Sequence, residues 1–171
     1  LADIARVLGA GTRGDGCLRG NGYVVTWAIG HLVALAQPHE IRPEWRAWRQ
    51  TLLPMIPERW PLVVYEKTKS QFEIVRRILA DPEVERVICA TDAGREGELI
   101  FRLIEQYAGG EKGGKFVPLG KPVRRLWLQS MTPQSIREGF SSLRADKDLL
   151  PLADAAKSRS EADWLIGING T

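Results

Sequence analysis

Three charged side chains that could do chemistry lie between an apolar run and a predicted helix, in the stretch ICATDAGREGELIF (88–101). Asp92 follows the apolar run, and Arg95 and Glu96 open the helix. Carboxylate oxygens are ligands that Mg²⁺ prefers, and an arginine can hold a phosphate through two parallel hydrogen bonds. The stretch therefore indicates a metal and phosphate site.

A second explanation of these residues needs no ligand, because acidic side chains favour the first turn of any helix and Asp is common in loops. Gly94 and Gly97 allow a tight turn or the close approach of a ligand. The common nucleotide-binding patterns G-x-x-x-x-G-K-[ST] and G-x-G-x-x-G do not occur. No nucleophile–base triad is visible, and His31 and His39 lack metal-ligand spacing. The pattern alone leaves a ligand site and a plain helix start both open.

Strands and helices alternate around this stretch. The predicted strands are PLVVYEKT, VERVICATD and PVRRLWLQS, and the helices that follow them are SQFEIVRRILAD, GELIFRLIEQYAGG and TPQSIREGFSSLR. The last of these has a clear start, with Thr132 as N-cap and Pro133 as its first residue. The alternation predicts an α/β fold with a mostly parallel sheet flanked by helices. Ligands bind outside the carboxyl ends of such strands, where Asp92 is expected.

The other segments give local predictions. A first helix closed by Gly9 precedes a hairpin with Asn21-Gly22 as its turn. A final helix covers DLLPLADAAKSRSEADWLIGING. The region 38–61 is a long loop of the kind that is usually functional. Its expected anchors are Trp45, Trp48 and Trp60.

The composition excludes some classes of protein without choosing among the rest. The 171 residues carry a formal net charge of +3. Arginine clusters such as Arg124-Arg125 suit phosphate partners or a solvated surface. Cys17 and Cys89 make no disulfide framework, and the apolar context of Cys89 indicates a buried thiol in a reducing compartment. No run of about 18 apolar residues is present, so no membrane span is predicted.

The segment TDAGREGELI resembles the acidic motif of the TOPRIM domain, the metal-binding module of type IA and type II topoisomerases and of bacterial primases. Further segments are similar, in the same order, to the topoisomerase III branch of the bacterial type IA enzymes. They are NGYVVTWAIGHLVALAQP, WRQTLLPMIPERWPL, SMTPQSIREGF and ADWLIGIN. The resemblance runs nearly from end to end and implies a TOPRIM (Rossmann-like) fold.

The resemblance also implies a domain organisation. Residues 1–145 are expected to be a TOPRIM domain without its first strand, which carries a Glu-Lys pair in the family. Residues 146–171 are expected to be the first helix of a following helical domain. The family's nucleophilic tyrosine belongs to a later domain, and none of the three tyrosines here lies in its motif: Tyr23, Tyr65 and Tyr107. An N-terminal fragment, inactive alone, is therefore expected.

The family's Asp-x-Asp-x-Glu arrangement implies roles for individual residues. Asp92 matches the first Asp and Glu96 the Glu, so both are expected to bind Mg²⁺. Gly94 stands at the second Asp, which implies a single Mg²⁺ or weaker binding. Arg95 and Glu96 are expected to have catalytic roles, with Arg95 stabilising charge at the phosphate and Glu96 binding the metal or assisting proton transfer.

The resemblance implies an ATP-independent topoisomerase that cleaves, passes and religates single DNA strands in the bacterial cytoplasm, associated with the nucleoid. Two alternatives are a DNA-binding module without metal chemistry and a TOPRIM nuclease or primase module. The SMTPQSIREGF and ADWLIGIN segments favour the topoisomerase over the nuclease or primase.

Candidate contacts to DNA follow from the same resemblance. His31 matches a Gly-His position near the DNA path, although a lone His is more often structural. Trp48 could stack on a base of single-stranded DNA or anchor its loop. Arg159 and Asp163 are four residues apart on the final helix. The pair is either a surface ion pair or a phosphate contact in which Asp163 holds Arg159.

Overall fold

In a computed structural model of the chain, the described residues are 1–112, 115–117 and 119–170. The helices, in chain order, are α1 (Ala2–Leu8), α2 (Pro38–Ile41), α3 (Lys69–Ala80), α4 (Arg95–Ala108), α5 (Pro133–Ser141) and α6 (Leu150–Asn169). The strands, in chain order, are β1 (Thr12–Gly14), β2 (Cys17–Gly20), β3 (Tyr23–Thr26), β4 (Val33–Leu35), β5 (Leu62–Val64), β6 (Val87–Cys89), β7 (Glu111–Lys112), β8 (Lys115–Phe116), β9 (Val123–Arg125) and β10 (Arg144–Ala145). Short 3-10 turns cover Pro43–Arg46, Gln50–Leu52, Glu66–Thr68 and Asp146–Leu149.

The unit β6–α4–β9 positions the candidate site. β6 and β9 pair in parallel, with Val87 opposite Val123 and Cys89 opposite Arg125. β10 pairs with the other edge of β9 in the antiparallel direction. Parallel neighbours need a crossover connection, and α4 lies within it. The unit confirms the predicted α/β fold and brings the carboxyl ends of β6 and β9 to one edge of the sheet.

The remaining strands form antiparallel groups, β1–β2–β3, β4–β5 and β7–β8. The predicted hairpin is β2–β3, in which Gly20 pairs with Tyr23 across the turn. Asn21 has a φ of 50° and Gly22 a φ of 77°. Two consecutive positive φ angles suit the right-handed twist of a two-residue hairpin, so the Asn21-Gly22 prediction is confirmed.

The β6–β9 sheet is covered on both faces. Successive residues of a strand point to opposite sides, so neighbouring residues of β6 reach different core clusters. Val87 packs against a core cluster built from α3, α4, β4 and β5, in which Phe72 is the largest fully buried side chain. Its neighbour Ile88 packs against a second cluster, between α1 and α5, that contains Leu126 and Ile136. This layering covers β6 on both faces, as its apolar sequence predicted, with Cys89 buried and Val87 and Ile88 half-buried.

The predicted helix boundaries at α1 and α5 are confirmed. α1 ends at Gly9, which has a left-handed φ of 76°. α5 begins at Pro133, and the Oγ1 atom of its N-cap Thr132 accepts a hydrogen bond of 3.2 Å from the backbone N–H of Ser135. Such caps satisfy backbone donors that the helix itself leaves free.

The final helix, α6, packs along α4, with Ala156 buried in the first core cluster. Its small side chain permits the close approach of the two helices. Across the described ranges, no helix is long and apolar enough to cross a membrane.

We expect Ile136→Ala to lower the free energy of unfolding by about 2–5 kcal/mol, because it removes buried methyl groups and leaves a cavity. Ile136 is 0% exposed, whereas Ile166 is 69% exposed. The matched variant Ile166→Ala should therefore change stability by less than about 0.5 kcal/mol. Urea unfolding of both variants measures the difference, and equal losses would contradict the proposed position of the core.

Candidate functional site

The candidate site lies where β6 turns into α4. β6 ends at Cys89 and α4 begins at Arg95, and the backbone N–H of Glu98 donates the first helical hydrogen bond to the Gly94 carbonyl at 3.1 Å. Asp92, Arg95 and Glu96 are all exposed at this junction. The structure thus brings the three predicted residues to the carboxyl end of a parallel strand, where sites form in such sheets.

The connecting loop lies directly against the first turn of α4. A Cβ atom on Gly97 would come within 2.1 Å of the Asp92 carbonyl oxygen and 2.8 Å of its nitrogen. The Thr91 hydroxyl donates a 2.7 Å hydrogen bond to the Gly97 carbonyl. Gly97 is therefore required by the contact of backbone with backbone.

Gly94 is under no such constraint. Apart from its two chain neighbours, no described residue has an atom within 4 Å of a Cβ built on Gly94, and its φ of 162° belongs to extended backbone that any residue adopts. A side chain at this position would project into open space. The carboxylate expected there from the family pattern is thus absent for a reason other than lack of room.

His31 lies beside Glu96. The Nε2 atom of His31 is in hydrogen-bonding contact with Oε1 of Glu96, across 65 residues of sequence. The His31 side chain is 28% exposed and that of Glu96 is 71% exposed. His31 comes just before β4, so the fold adds an imidazole to the junction of β6 and α4 that sequence spacing alone did not connect to it.

The donor set at this junction fits an open Mg²⁺ site. Mg²⁺ usually keeps several waters and is held by one or two carboxylates together with substrate phosphates. Asp92 and Glu96 supply two such carboxylates. Among the described residues, no group of three or more His, Cys, Asp or Glu is arranged to hold a metal ion. The two carboxylates can therefore contribute to a site that is completed by other ligands, but they do not form a closed cage.

A buried arginine binds the carbonyls of the loop between β6 and α4. Arg125 is 2% exposed. Its Nη1 atom donates to the carbonyls of Cys89 at 3.1 Å and Thr91 at 2.7 Å, and its Nη2 atom donates to the carbonyl of Asp92 at 2.7 Å. The interpretation of the Arg124-Arg125 pair as phosphate ligands or solvated surface is wrong for Arg125. Successive strand residues point to opposite faces, so Arg124 is exposed while Arg125 enters the protein.

Glu98 is the counter-ion of this arginine. Its side chain is 0% exposed, and its Oε2 atom lies 3.3 Å from Nε of Arg125. Its other oxygen, Oε1, accepts a 2.8 Å hydrogen bond from Nε of Arg102. Sequence reasoning left Glu98 without a role, although it lies three residues before Phe101, on the helical spacing that indicates a shared face.

Arg102 extends the charged network to the start of the final helix. It pairs with Glu105 at 3.1 Å and with Asp146 at 2.6 Å, in addition to Glu98. Burial lowers the pKa of Arg102, but hydrogen bonds to Asp146 and Glu98 outweigh it, so the net shift is upward. Burial raises the pKa of Glu105, against the opposing charge of Arg102. Desolvation thus works against the charged form of both groups.

Cys89 is a buried thiol, as its apolar context indicated. It is 3% exposed. Burial raises its pKa, against the opposing charge of Arg125. The neutral thiol is favoured, so Cys89 is unsuited to act as a nucleophile.

Trp48 is exposed and is not an anchor of its loop. Its exposed fraction is 53%, whereas that of Trp45 is 7%. The ring of Trp60 meets that of Trp164 on α6 edge to face, with centroids 5.4 Å apart. The prediction that Trp45 and Trp60 anchor this region is confirmed, and the same prediction is wrong for Trp48.

Two polar contacts attach this region to α6. The indole nitrogen of Trp164 donates to the Ala36 carbonyl at 3.0 Å. The side chain of Asn169 accepts from the Met55 backbone N–H at 2.6 Å and donates to the Met55 carbonyl at 3.1 Å. The region that carries Trp48 is therefore fixed to α6 at two points, at Ala36 just before the region and at Met55 within it.

Arg159 and Asp163 form an exposed pair on α6. Nε of Arg159 lies 2.7 Å from both carboxylate oxygens of Asp163, and the side chains are 57% and 56% exposed. An exposed pair of this kind adds little stability. It does fix the direction of the guanidinium, whose Nη atoms have no hydrogen-bond partner in the part of the chain that the structure describes.

The chain matches known proteins over nearly its whole length. The profile of the Toprim domain matches residues 2–127. DNA topoisomerase 3 of Shouchella clausii (strain KSM-K16) is 46% identical over 169 residues, which are 99% of this chain and 22% of that protein. The DNA topoisomerase 3 of Bacillus subtilis (strain 168) gives the same values, and that of Staphylococcus epidermidis is 43% identical with the same coverage. The chain thus spans about 22% of the length of these relatives.

We expect Gly97→Ala to lower the free energy of unfolding by about 1–3 kcal/mol, because the added methyl group forces the Asp92 backbone away from α4. Gly94→Ser, in the same turn, should change it by less than about 0.5 kcal/mol, since Ser fits both the open space and an N-cap position. Urea unfolding of the two variants gives the comparison. Equal stability of both would mean that the loop does not lie against Gly97.

Proposed function

Because this chain belongs to the Toprim domain family, we propose that it supplies the Mg²⁺ and phosphate site of a bacterial type IA DNA topoisomerase of the topoisomerase 3 kind. The observation that carries the proposal is the junction of β6 and α4, which exposes Asp92, Arg95 and Glu96 at the carboxyl end of a parallel strand. The similarity over 99% of the chain to proteins named DNA topoisomerase 3 supports it.

In the proposed reaction, a tyrosine from another part of the parent protein attacks a phosphodiester of one DNA strand. Its oxygen forms the new bond to phosphorus, and a deoxyribose hydroxyl leaves; the reverse transfer reseals the strand after a second strand has passed. When bound, Mg²⁺ would supply positive charge that stabilises the phosphate oxygens. Asp92 and Glu96 would hold the ion, as Asp and Glu oxygens suit it.

The chain's own groups position the phosphate. The Arg95 guanidinium is free to approach solvent at the start of α4 and can donate two hydrogen bonds to phosphate oxygens. The contact from His31 Nε2 restrains Glu96 Oε1, which leaves the carboxylate oriented while it binds a metal or moves a proton during religation. His31 is also the proposed neighbour of the DNA path on this side of the site.

Single-stranded DNA is the proposed partner, with Trp48 and Arg159 as two of its contacts. An exposed aromatic ring can stack on any base, and 53% of Trp48 is exposed. Arg159, held by Asp163, would contact a phosphate through its outer nitrogens. Residues 146–171 would begin the next domain, and the parent protein would act in the cytoplasm, where bacterial DNA lies.

Two neighbouring functions are less well supported. A TOPRIM nuclease or primase module would not be expected to match proteins named DNA topoisomerase 3 beyond the Toprim profile, up to 99% of this chain. A DNA-binding module without metal chemistry would leave the exposed carboxylates at the site without a purpose. The first experiment below separates it from the proposed function.

We expect Asp92→Asn and Glu96→Gln to lower the rate at which the full-length parent relaxes supercoiled DNA by about 10²-fold or more, the loss typical when one electrostatic group of an active site is removed. Calorimetry should also show weaker Mg²⁺ binding by this chain. Glu85→Gln, at an exposed position just before β6, is the matched control and should leave both unchanged. Full relaxation activity in the two site variants would refute the metal site and favour a metal-independent binding module.

We expect Trp48→Ala and Arg159→Ala to weaken binding of a single-stranded oligonucleotide in different ways. Loss of one stacked base costs about 1–3 kcal/mol without changing the dependence on salt. Loss of one phosphate contact reduces the slope of log K against log salt by about 0.7. Fluorescence anisotropy over a salt series measures both.

Arg76→Ala is the control for Arg159→Ala, because Arg76 is another exposed arginine paired with a carboxylate on its own helix. It should leave both the affinity and the slope unchanged. Wild-type binding by Trp48→Ala and Arg159→Ala together would reject this DNA path.

A further inference from the structure

We propose that Arg125 is a positioning residue for Asp92, and that it acts by holding the backbone of the loop between β6 and α4. Its effect on Mg²⁺ binding rests on the proposed function. Its effect on the loop does not, and it can be measured without metal.

The loop between β6 and α4 needs hydrogen-bond donors from outside the strand ladder. Beyond Cys89, where β6 ends, the carbonyls of Thr91 and Asp92 lie outside the strand ladder. Buried or half-buried carbonyls need donors from elsewhere. The two outer nitrogens of Arg125 supply them, at 2.7 Å to each of these two carbonyls.

The outer nitrogens of Arg125 and its Nε atom face different partners. Its outer nitrogens make four hydrogen bonds to carbonyls, those of Cys89, Thr91, Asp92 and Leu126. Within the described part of the chain, its Nε atom, facing Glu98 at 3.3 Å, has no hydrogen-bond partner, and neither has Oε2 of Glu98. The orientation of the guanidinium is thus set by the backbone it binds, while Glu98 compensates its charge.

The backbone of Asp92 connects Arg125 to the proposed metal ligand. Arg125 contacts the main chain of Asp92 and makes no described contact with its carboxylate. On the opposite side, the Asp92 backbone lies against Gly97, and Thr91 is tied to the Gly97 carbonyl. The Asp92 backbone is held between α4 and Arg125, so both contacts fix the direction in which its Cα–Cβ bond leaves the loop.

The compensation by Glu98 also matters for a cation at Asp92. A buried guanidinium this close to the loop would by itself repel Mg²⁺. Because Glu98 is fully buried beside it, the charge of Arg125 is balanced inside the protein. The local charge at the surface is then set by the exposed groups of the junction, the carboxylates of Asp92 and Glu96 and the guanidinium of Arg95.

The test compares Arg125→Lys with Arg124→Lys. Lysine keeps the charge but lacks the planar fork that reaches several carbonyls at once. Arg124 is the neighbouring, exposed residue of the same strand, so its variant is a matched control. Three quantities are measured for each variant. Hydrogen exchange of residues 90–94 is followed in the metal-free chain, and Mg²⁺ affinity is measured by calorimetry with Mg²⁺ alone. The free energy of unfolding is measured in urea.

In Arg125→Lys we expect faster exchange of residues 90–94 and a loss of Mg²⁺ affinity of about tenfold, the size seen when a residue that orients a metal ligand is changed. Arg124→Lys should match the wild type in both. Wild-type exchange in Arg125→Lys would overturn the proposal. Faster exchange with unchanged Mg²⁺ affinity would overturn it as well, provided that Asp92→Asn does weaken Mg²⁺ binding.

A second variant decides the matter if Arg125→Lys does not fold. Thr91→Val removes the other tether of the loop, its hydrogen bond to Gly97, without changing any charge. We expect it to fold, to speed exchange at 90–94 and to weaken Mg²⁺ binding, and wild-type behaviour in both would count against a positioning role for the loop contacts. If Asp92→Asn leaves Mg²⁺ affinity unchanged, the metal role in the proposed function fails, and loop exchange alone then decides the role of Arg125.

Discussion

The site depends on how the chain satisfies carbonyl groups that extend past the end of a parallel strand. The carbonyls of Thr91 and Asp92 have no ladder partner, and Arg125 supplies their donors. A guanidinium inside the protein then requires an anion, which is Glu98, and Glu98 in turn pairs with Arg102. Breaking a buried pair by removing one partner is strongly destabilising. One backbone requirement therefore accounts for a series of buried charges that would otherwise be unfavourable.

The same helix carries the buried and the exposed acids, and its geometry separates them. Glu96 and Glu98 are two residues apart, which is a rotation of about 200° around a helix of 3.6 residues per turn. Glu96 faces solvent and His31, with 71% of its side chain exposed, and Glu98 is 0% exposed. Two acids of one type on the same helical turn thus have unlike surroundings: the inner one stabilises the scaffold, and the outer one is available to a ligand.

Features set by local chemistry were predictable from the sequence, and features set by distant contacts were not. The Asn21-Gly22 turn and the Thr132 cap follow from the backbone preferences of a few neighbouring residues. The α/β fold followed from the alternation of apolar strands and helices. The burial of Arg125 depends on which face of β9 meets α4, and strand alternation indicates two faces without saying which is inside. The contact of His31 with Glu96 spans 65 residues, and no local pattern could reveal it.

The two glycines of the junction differ in the substitutions that their surroundings tolerate. At Gly97 any side chain collides with the main chain of Asp92, so this position has no tolerated alternatives without remodelling of the loop. At Gly94 the backbone is extended and the space beyond it is open. A descendant of this protein could acquire a third carboxylate there, or lose one, by a single replacement that leaves the scaffold intact. The scaffold thus accommodates either number of acidic groups at the junction, while it fixes the backbone geometry that presents them.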